Sequence, residues 1–303
     1  LDASEAFDFD GDGIGDNADN DDDDDGYSDV EDAFPFNPFD WTDADSDGVG
    51  DNTDAFGLDA SEQSLPISEA LAQVTDEALR SCLISATENL ARAHELTDLG
   101  CSPADFDAEP AVLSLEGLQH FYNLETITFN KGAPGSLEPL RRMNALRKFS
   151  TGNYEWRITD LSPLSQLYRL RVLQWDNDLA LTAFDFEALS RLSNIREFGF
   201  GFNNELSSLA FLRNHPRLQS ILLGYANVTD FDPVGELEFL KNVSIYNQSH
   251  GQSIDVSFLR GNRELQSFGT HMGITGERVF LYLDKLKVFS TGWSGSPDQP
   301  FQL

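Results

Sequence analysis

The stretch "LSPLSQLYRLRVL" (residues 161–173) places a leucine at every third position. A spacing of three is typical of helical or 3₁₀ backbone, whereas the pair that ends the unit, Leu173 and Trp175, alternates as in a strand. One unit of this size cannot bury its apolar side alone, but units stacked side by side bury a shared one. The stretch therefore predicts a repeat protein, provided that further copies exist.

The same frame recurs along the chain, with apolar residues at offsets 0, 3, 6, 9, 12 and 14 from each start. The starts are separated by 22, 24, 25, 23, 22 and 25 residues, and they are Leu115, Leu137, Leu161, Phe186, Leu209, Phe231 and Val256. A last, poorer copy runs through Phe280, Leu283, Leu286 and Phe289. The recurrence predicts stacked units that each contain a helical or 3₁₀ turn followed by a short strand.

These units resemble the leucine-rich repeat, and specifically the shorter internalin-like repeat of bacterial surface proteins with its phrase L-x-x-L-x-x-L-x-x-L. The resemblance covers about residues 95–303, and it implies an α/β solenoid whose short parallel β-strands line the concave face. One departure concerns the Asn expected three places after the second strand leucine, since only Asn203 fits. The regularity of the turns is therefore an open question.

A cap region at 66–114 is expected to seal the open end of the repeats at 115–303. Residues 74–93 have helical spacing at Leu79, Leu83 and Leu90, which predicts an N-terminal cap helix. Cys82 lies on this helix, and Cys101 is expected in the first turn, where "LTDLGCS" resembles a degenerate opening repeat. A bridge between them would close a loop of about 20 residues and stabilise the fold by about 3 kcal/mol. Two buried thiols are the alternative.

Residues 1–62 differ in composition from the rest of the chain. They hold 23 of the 52 acidic residues and none of the 20 basic ones, which accounts for most of the formal charge of −32. A solvated, disordered acidic tail is one interpretation of such a composition. The regular spacing of the aspartates argues for another.

Three windows, residues 8–19, 21–32 and 43–54, each read D-x-D-x-D-G-x-x-D-x-x-D. Carboxylates at places one, three and five of a tight loop can surround a cation, and Gly at place six permits the sharp turn. Place seven offers a backbone carbonyl, while places nine and twelve complete a shell of hard oxygen ligands that suits Ca²⁺. The predicted metal ligands are Asp8, Asp10, Asp12, Ile14, Asp16 and Asp19; Asp21, Asp23, Asp25, Tyr27, Asp29 and Asp32; and Asp43, Asp45, Asp47, Val49, Asp51 and Asp54.

The loops resemble the EF-hand loop but end in Asp rather than Glu and lack flanking amphipathic helices. They are more similar to thrombospondin type 3 repeats, in which successive Asp-rich loops wrap around a line of calcium ions. A dockerin-like pair is the second interpretation. Since "LDASE" occurs at residues 1–5 and again at 58–62, and a loop follows only the first copy, we expect further loops before Leu1 in the natural chain.

Four aromatic residues lie between the second and third loops, namely Phe34, Phe36, Phe39 and Trp41. Because residues 1–62 have almost no other apolar side chains, these aromatics should either form small clusters between the loops or dock on the solenoid. A ligand site is the third possibility.

The predicted concave face has small, uncharged residues at its centre and aromatic residues at its edge. Such a surface suits an extended peptide or a glycan, while the alternative is that the aromatics only cover the ends of the strands. The candidate ligand-binding residues are Tyr154, Gln174, Asp176, Phe202, Tyr225, Tyr246, His271 and Trp293.

The charge balance argues against nucleic acid as a partner, and no apolar run is long enough for direct membrane insertion. No motif for a catalytic nucleophile or a phosphate-binding loop occurs, so we do not expect an enzyme. The expected function is a secreted or cell-surface adhesin, in which a calcium-stiffened spacer presents a leucine-rich repeat domain to a protein or glycan. The alternative is a subunit of an extracellular filament or coat, assembled by contact between the solenoid and the acidic segment of the next copy.

Overall fold

The computed structural model of the chain describes the solenoid and much of the acidic segment. The described residues are 9–10, 14–46, 48–52, 58, 64–101, 111–132, 134–152, 158, 160–176, 186–190, 192, 194–201, 206–224, 228–246 and 253–291. The domain boundaries at 62, 66 and 114 remain predictions.

Within these residues, nine short strands form one parallel sheet in the order β1-β2-β3-β4-β5-β6-β7-β9-β11. The strands are β1 (Asp98–Cys101), β2 (Thr126–Phe129), β3 (Lys148–Thr151), β4 (Val172–Asp176), β5 (Glu197–Gly201), β6 (Ser220–Gly224), β7 (Asn242–Tyr246), β9 (Ser267–Thr270) and β11 (Val288–Thr291). A second, two-stranded parallel sheet pairs β8 (Ser253–Asp255) with β10 (Gly273–Thr275). The chain thus forms an α/β solenoid of the leucine-rich repeat type, as the repeat spacing predicts.

The strand register follows the sequence frame. Residues at offset 11 pair with one another across the main sheet, in the order Thr126, Lys148, Val172, Glu197, Ser220, Asn242, Ser267 and Val288. The poorer last copy therefore adds its strand to the same stack, although its Phe280, Leu286 and Phe289 are only partly buried.

Helical turns connect the strands on the opposite side of the solenoid. The 3₁₀ turns are Ala93–Glu95, Leu118–His120, Glu138–Leu140, Ser162–Leu164, Ala210–Asn214, Val256–Gly261 and Glu277–Tyr282, and a short α-helix, α3, spans Asp232–Gly235. Spacing three thus appears mainly as 3₁₀ backbone, which returns the same face to the core at every third residue.

A column of short polar side chains regularises these turns. At offset −1, one residue before the start of six described copies, a side-chain oxygen accepts a hydrogen bond from the backbone N–H two residues later. The acceptors are Ser114, Ser136, Asp160, Ser208, Asp230 and Asp255, at 2.8–3.3 Å. These Asx- and Ser-type turns give the copies the same turn geometry, although the Asn expected after the strand occurs only at Asn203.

The core is a continuous column of leucine and aromatic side chains. The rings of Phe149 and Trp175 meet edge to face at 5.9 Å, and Trp175 stacks on Phe200 at 6.0 Å. Two polar residues occupy offset 6, where other copies have an apolar residue. Buried His215 places its Nδ1 3.2 Å from the Leu192 carbonyl oxygen, and buried Asn262 donates to two carbonyl oxygens of the preceding copy.

The N-terminal cap consists of two helices, α1 (Ile67–Gln73) and α2 (Glu77–Ala86). The prediction of one helix over 74–93 was therefore wrong at both ends. Asp76 begins α2 by accepting the Leu79 N–H at 2.8 Å, and Thr87 ends it, with its hydroxyl bonded to the Leu83 carbonyl. Leu79 and Leu83 are buried as predicted, whereas Leu90 lies beyond the helix.

A disulfide joins Cys82 on α2 to Cys101 on β1, with the two Cα atoms 5.6 Å apart. Cys101 lies in the first strand of the main sheet rather than in a turn. The bridge therefore fastens the cap directly to the edge of the sheet.

Candidate functional site

The second aspartate-rich loop, residues 21–32, lies wholly within the described part of the chain. One ligand atom each from Asp21, Asp23 and Asp25 lies within 4.8 Å of the other two. Gly26 has φ +96°, a left-handed conformation that glycine adopts without steric cost, and its N–H donates to Asp21 Oδ2 at 3.1 Å. The loop therefore brings places one, three and five together as the sequence spacing predicts.

The third loop, residues 43–54, repeats this geometry where it is described. Gly48 has φ +91° and donates its N–H to Asp43 Oδ2 at 2.9 Å. Place four also has positive φ in both loops, at Asp24 with 56° and at Ser46 with 63°. The two loops thus adopt the same unusual backbone, although the residues between their shared aspartates differ.

Place nine has the same hydrogen bond in each of the three loops. The N–H at place two donates to the place-nine carboxylate at 2.9 Å, which involves Asp16, Asp29 and Asp51 as acceptors. This bond lowers the pKa of Asp51, with help from Thr42. One oxygen of place nine is thus held by the backbone, and the predicted role of the other is that of a direct or water-bridged ligand.

Several carboxylates of the second loop are buried, with oxygen atoms that find no hydrogen-bond donor among the described residues. These are Asp22 Oδ1, Asp23 Oδ2, Asp25 Oδ2 and Asp32 Oδ2. Burial raises the pKa of Asp23 to about 7, and Asp25 and Asp32 raise it further by repulsion. Burial is also the main cause of the raised pKa of Asp32. Buried carboxylates without donors are costly unless a cation compensates them, and an all-oxygen set of this kind fits a hard divalent ion.

The remaining predicted ligands are only partly described. Asp8, Asp12, Asp47 and Asp54 lie outside the described residues. The side chains of Ile14 and Tyr27 are exposed and that of Val49 is half-buried, which is consistent with a role for these residues through the backbone alone.

Two buried acidic residues were not among the predicted ligands. Asp22 is 6 % exposed, and its pKa is raised to about 6, first by burial and then by Asp29, Asp16, Asp19 and Asp10. It therefore lies among carboxylates of the first loop, although it belongs to the second. Alternation along the loop predicts that Asp22 points outward, so no feature of the sequence marked it.

Asp40 is the other missed residue and is 1 % exposed. Its carboxylate accepts the Asn52 N–H at 2.8 Å and the Asn37 amide at 3.2 Å. A Cβ placed on Gly50 would collide with this side chain, so Gly50 makes room for Asp40 against the third loop.

The aromatic residues between the loops form both kinds of contact that the sequence left open. Trp41 stacks on Tyr27 at 5.1 Å, which joins the second and third loops. Phe36 contacts Phe9 at 5.5 Å, and Phe9 meets the ring of Tyr168 on the solenoid edge to face at 4.9 Å. The acidic segment is thus docked on the repeats.

Polar contacts accompany this docking on the side of the solenoid that precedes the strands. Asn144 donates to Asn37 Oδ1 at 2.6 Å, and Arg142 lies 5.5 Å from the centre of the Phe39 ring. Arg142 also donates to the Asn52 carbonyl at 3.4 Å. A cavity of about 310 Å³ remains between the two parts. We call this surface, formed by Arg142, Asn144 and Tyr168, the docking flank.

The predicted ligand face is only partly described. Tyr154, Phe202, Tyr225 and Trp293 lie outside the described residues, and of Asp176 only the backbone in β4 is described. Gln174 lies in β4, with its amide 3.5 Å from Glu197.

Tyr246 and His271 stack on each other at 5.4 Å with nearly parallel rings. Beside them, hydroxyl groups of neighbouring side chains fill the space above buried Gly269. A Cβ at Gly269 would lie 3.1 Å from Ser290 Oγ and 3.3 Å from the Tyr246 hydroxyl, with Ser244 Oγ at 3.5 Å. The three hydroxyl groups and the stacked rings form a polar patch on the concave face.

Comparison with known proteins identifies the fold but no family. No family model and no curated protein matches the sequence. Among solved structures, internalin C2 of Listeria monocytogenes is similar at 19 % identity and a TM-score of 0.58, over 75 % of this chain and 99 % of that chain. A leucine-rich repeat protein of Leptospira interrogans is 18 % identical over 64 % of this chain and 54 % of its own, with a TM-score of 0.46. The first likeness establishes an internalin-like leucine-rich repeat fold. Among the described residues, no helix has the length and apolar character needed to cross a bilayer.

Proposed function

We propose that residues 1–62 bind Ca²⁺ outside the cell and that the solenoid they precede binds a protein or glycan partner on its concave face. The protein would act by binding rather than by catalysis. The observation that carries the calcium part is the convergence of Asp21, Asp23 and Asp25 in a loop with buried carboxylate oxygens that lack donors. A spacing resembling thrombospondin type 3 repeats gives independent support from the sequence.

Calcium would remove the repulsion among these carboxylates, so binding and ordering of the segment should occur together. Affinities on the order of 10⁻⁴ to 10⁻³ M are typical of extracellular sites. The disulfide between Cys82 and Cys101 is consistent with an oxidising compartment.

Calorimetric titration of Ca²⁺ into the full chain tests the calcium part. Asp23→Asn should weaken one site by about tenfold or more, because ligand charge sets the affinity of such loops. Asp24→Asn is the matched control, since Asp24 is exposed at place four and Asn tolerates its left-handed backbone. Equal effects of the two substitutions, or no heat of binding at millimolar Ca²⁺, would contradict the proposal.

The recognition part rests on the polar patch beside Gly269, which consists of the stacked rings of Tyr246 and His271 and the neighbouring hydroxyl groups. Aromatic faces and hydroxyl groups together suit sugars and extended peptides. A printed glycan array and a displayed peptide library are the probes. Binding found with either probe should be lost in Tyr246→Ala and kept in Leu281→Ala, which alters an exposed residue distant from the sheet. Hits that bind both variants equally would place recognition elsewhere.

A further inference from the structure

A column of arginine residues lies at offset 10, directly before the strands. The backbone N–H of Arg171 bonds to the Arg147 carbonyl, and that of Arg196 to the Arg171 carbonyl, both at 2.8 Å. Adjacent strands of a sheet lie about 4.8 Å apart, so these arginines are direct neighbours. The column is fixed by the backbone and does not depend on how the side chains are arranged.

Two of the three arginines at offset 10 have no acidic partner among the residues that the structure describes. Arg147 pairs with Glu125 at 3.1 Å. In the described part of the chain, no carboxylate pairs with Arg171 or Arg196, and Arg196 instead donates to the carbonyls of Asn194 and Ile195.

Neighbouring arginines also place like charges close to Arg196. The pKa of Arg196 is lowered, first by burial and then by the nearby cations Arg217 and Arg171. Like charges this close are unfavourable in the isolated molecule. An anionic partner that lies against these arginines would offset the repulsion between them.

The position of these cations is unusual for so acidic a chain. Residues 131–217 contain 12 of the 20 Lys and Arg residues against 9 acidic ones, whereas the chain as a whole carries −32. The solenoid thus has a locally basic part, and the arginine strip formed by Arg171, Arg196 and Arg217 lies on it. Charge of this kind is a determinant of binding rather than of fold.

The strip continues the docking flank along the solenoid. Arg142 and Asn144 belong to the copy that starts at Leu137, and Tyr168 to the copy that starts at Leu161. These residues already hold an acidic segment, that of their own chain, through Asn37, Phe39 and Phe9. Arg171 lies in the same copy as Tyr168, and Arg196 and Arg217 lie on the next two copies along the solenoid.

We propose that the arginine strip binds the acidic segment of a second copy of this chain. Residues 1–62, with 23 acidic and no basic residues, are the complementary surface that the molecule itself provides. The contact joins two different surfaces, so it is head-to-tail, and repetition of it gives rings or open-ended assemblies. Bound calcium would reduce the charge of the segment but, at one ion per loop, would leave it strongly negative. This inference does not require the concave face to bind a ligand.

Analytical ultracentrifugation of the full chain in 2 mM CaCl₂, over a range of protein concentrations and at low and high NaCl, tests the inference. The wild-type chain should associate in a concentration-dependent manner, and high salt should weaken the association. Arg171→Glu with Arg196→Glu should weaken it by about 100-fold, or about tenfold for each reversed charge pair. The control, Arg263→Glu with Arg278→Glu, changes the net charge equally at two exposed residues outside the strip and should retain association.

Three results would overturn the inference. The first is a wild-type chain that stays monomeric at all concentrations. The second is association that both double variants lose equally, which would indicate an effect of net charge alone. The third is a monomeric chain that retards on immobilised heparin through Arg171 and Arg196, which would assign the strip to an acidic glycan instead. Because none of these measurements uses the concave face or calcium affinity, failure here is distinguishable from failure of the proposed function.

Discussion

Removal of the side chains that hold the acidic segment on the docking flank should release that segment. The main contacts across this surface are the Phe9–Tyr168 ring pair, the Asn37–Asn144 hydrogen bond and the Arg142–Phe39 cation–π contact, since the hydrogen bond from Arg142 to the Asn52 carbonyl is long at 3.4 Å and adds little. Taken at about 1 kcal/mol each, they sum to about 3 kcal/mol, a docked-to-released ratio of about 150. In the double variant Asn144→Ala with Tyr168→Ala, about 1 kcal/mol of free energy still favours the docked state. The acidic segment is then released in about one molecule in six.

Spin-label distance measurements can detect this release. Val30, which is 93 % exposed, and the exposed Asp284 accept single cysteines for labelling, because the two native cysteines are bonded to each other. In 2 mM Ca²⁺ the wild-type chain should give one narrow distance distribution, and the double variant should add a broad component.

The matched control is Phe239→Ala, which changes an exposed residue on the same side of a later copy. It should leave the distribution narrow. A double variant with the wild-type distribution would refute the reasoning, since it would mean that the described contacts do not hold the segment. A broad distribution in the wild-type chain would refute it as well.

Three further outcomes concern the solenoid. Burial lowers the pKa of His215 to about 4, so the unfolded chain binds more protons than the folded one below pH 6.5. The free energy of unfolding should therefore fall by about 3 kcal/mol as the pH drops from 6.5 to 4. Urea unfolding across that range should show a smaller fall for His215→Gln. Replacement of Cys82 and Cys101 by Ser should cost about 3 kcal/mol of stability, because the bridge closes a 19-residue separation; an unchanged urea midpoint in the double variant would contradict this. Asp160→Ala should cost about 1 kcal/mol through loss of the bond to the Ser162 N–H, whereas the exposed Asp98→Ala should be close to neutral by the same assay.

The periodic features of the fold were predictable because each repeat is determined by its own sequence. The frame set by Leu161 and its equivalents gave the correct strand positions and register, since a strand at a fixed offset must pair with the same offset of its neighbour. The aspartate loops were predictable for the same reason, because glycine at place six and alternating carboxylates act within twelve residues.

Features that depend on contacts between distant residues were not predictable. The predicted helix over 74–93 is too long because Leu90 fits helical spacing, whereas the helix ends at Thr87 through a local hydrogen bond. Asp22 and Asp40 carry no distinguishing spacing, and their burial follows from how successive loops pack. The arginine column becomes visible only when the copies are stacked, because its members are about 24 residues apart in the chain.

The docking flank also determines how the molecule would respond to tension. A pull on the N-terminal end of the chain would load Phe9 on Tyr168 first, then Asn37 on Asn144, and so on, one contact at a time. Contacts that break one after another fail at low force, and the released part of the chain extends before the repeats are strained. Further load would then reach the cap, where the covalent link from Cys82 to Cys101 passes it into the sheet. The acidic segment would thus extend under load and protect the solenoid that follows it from strain.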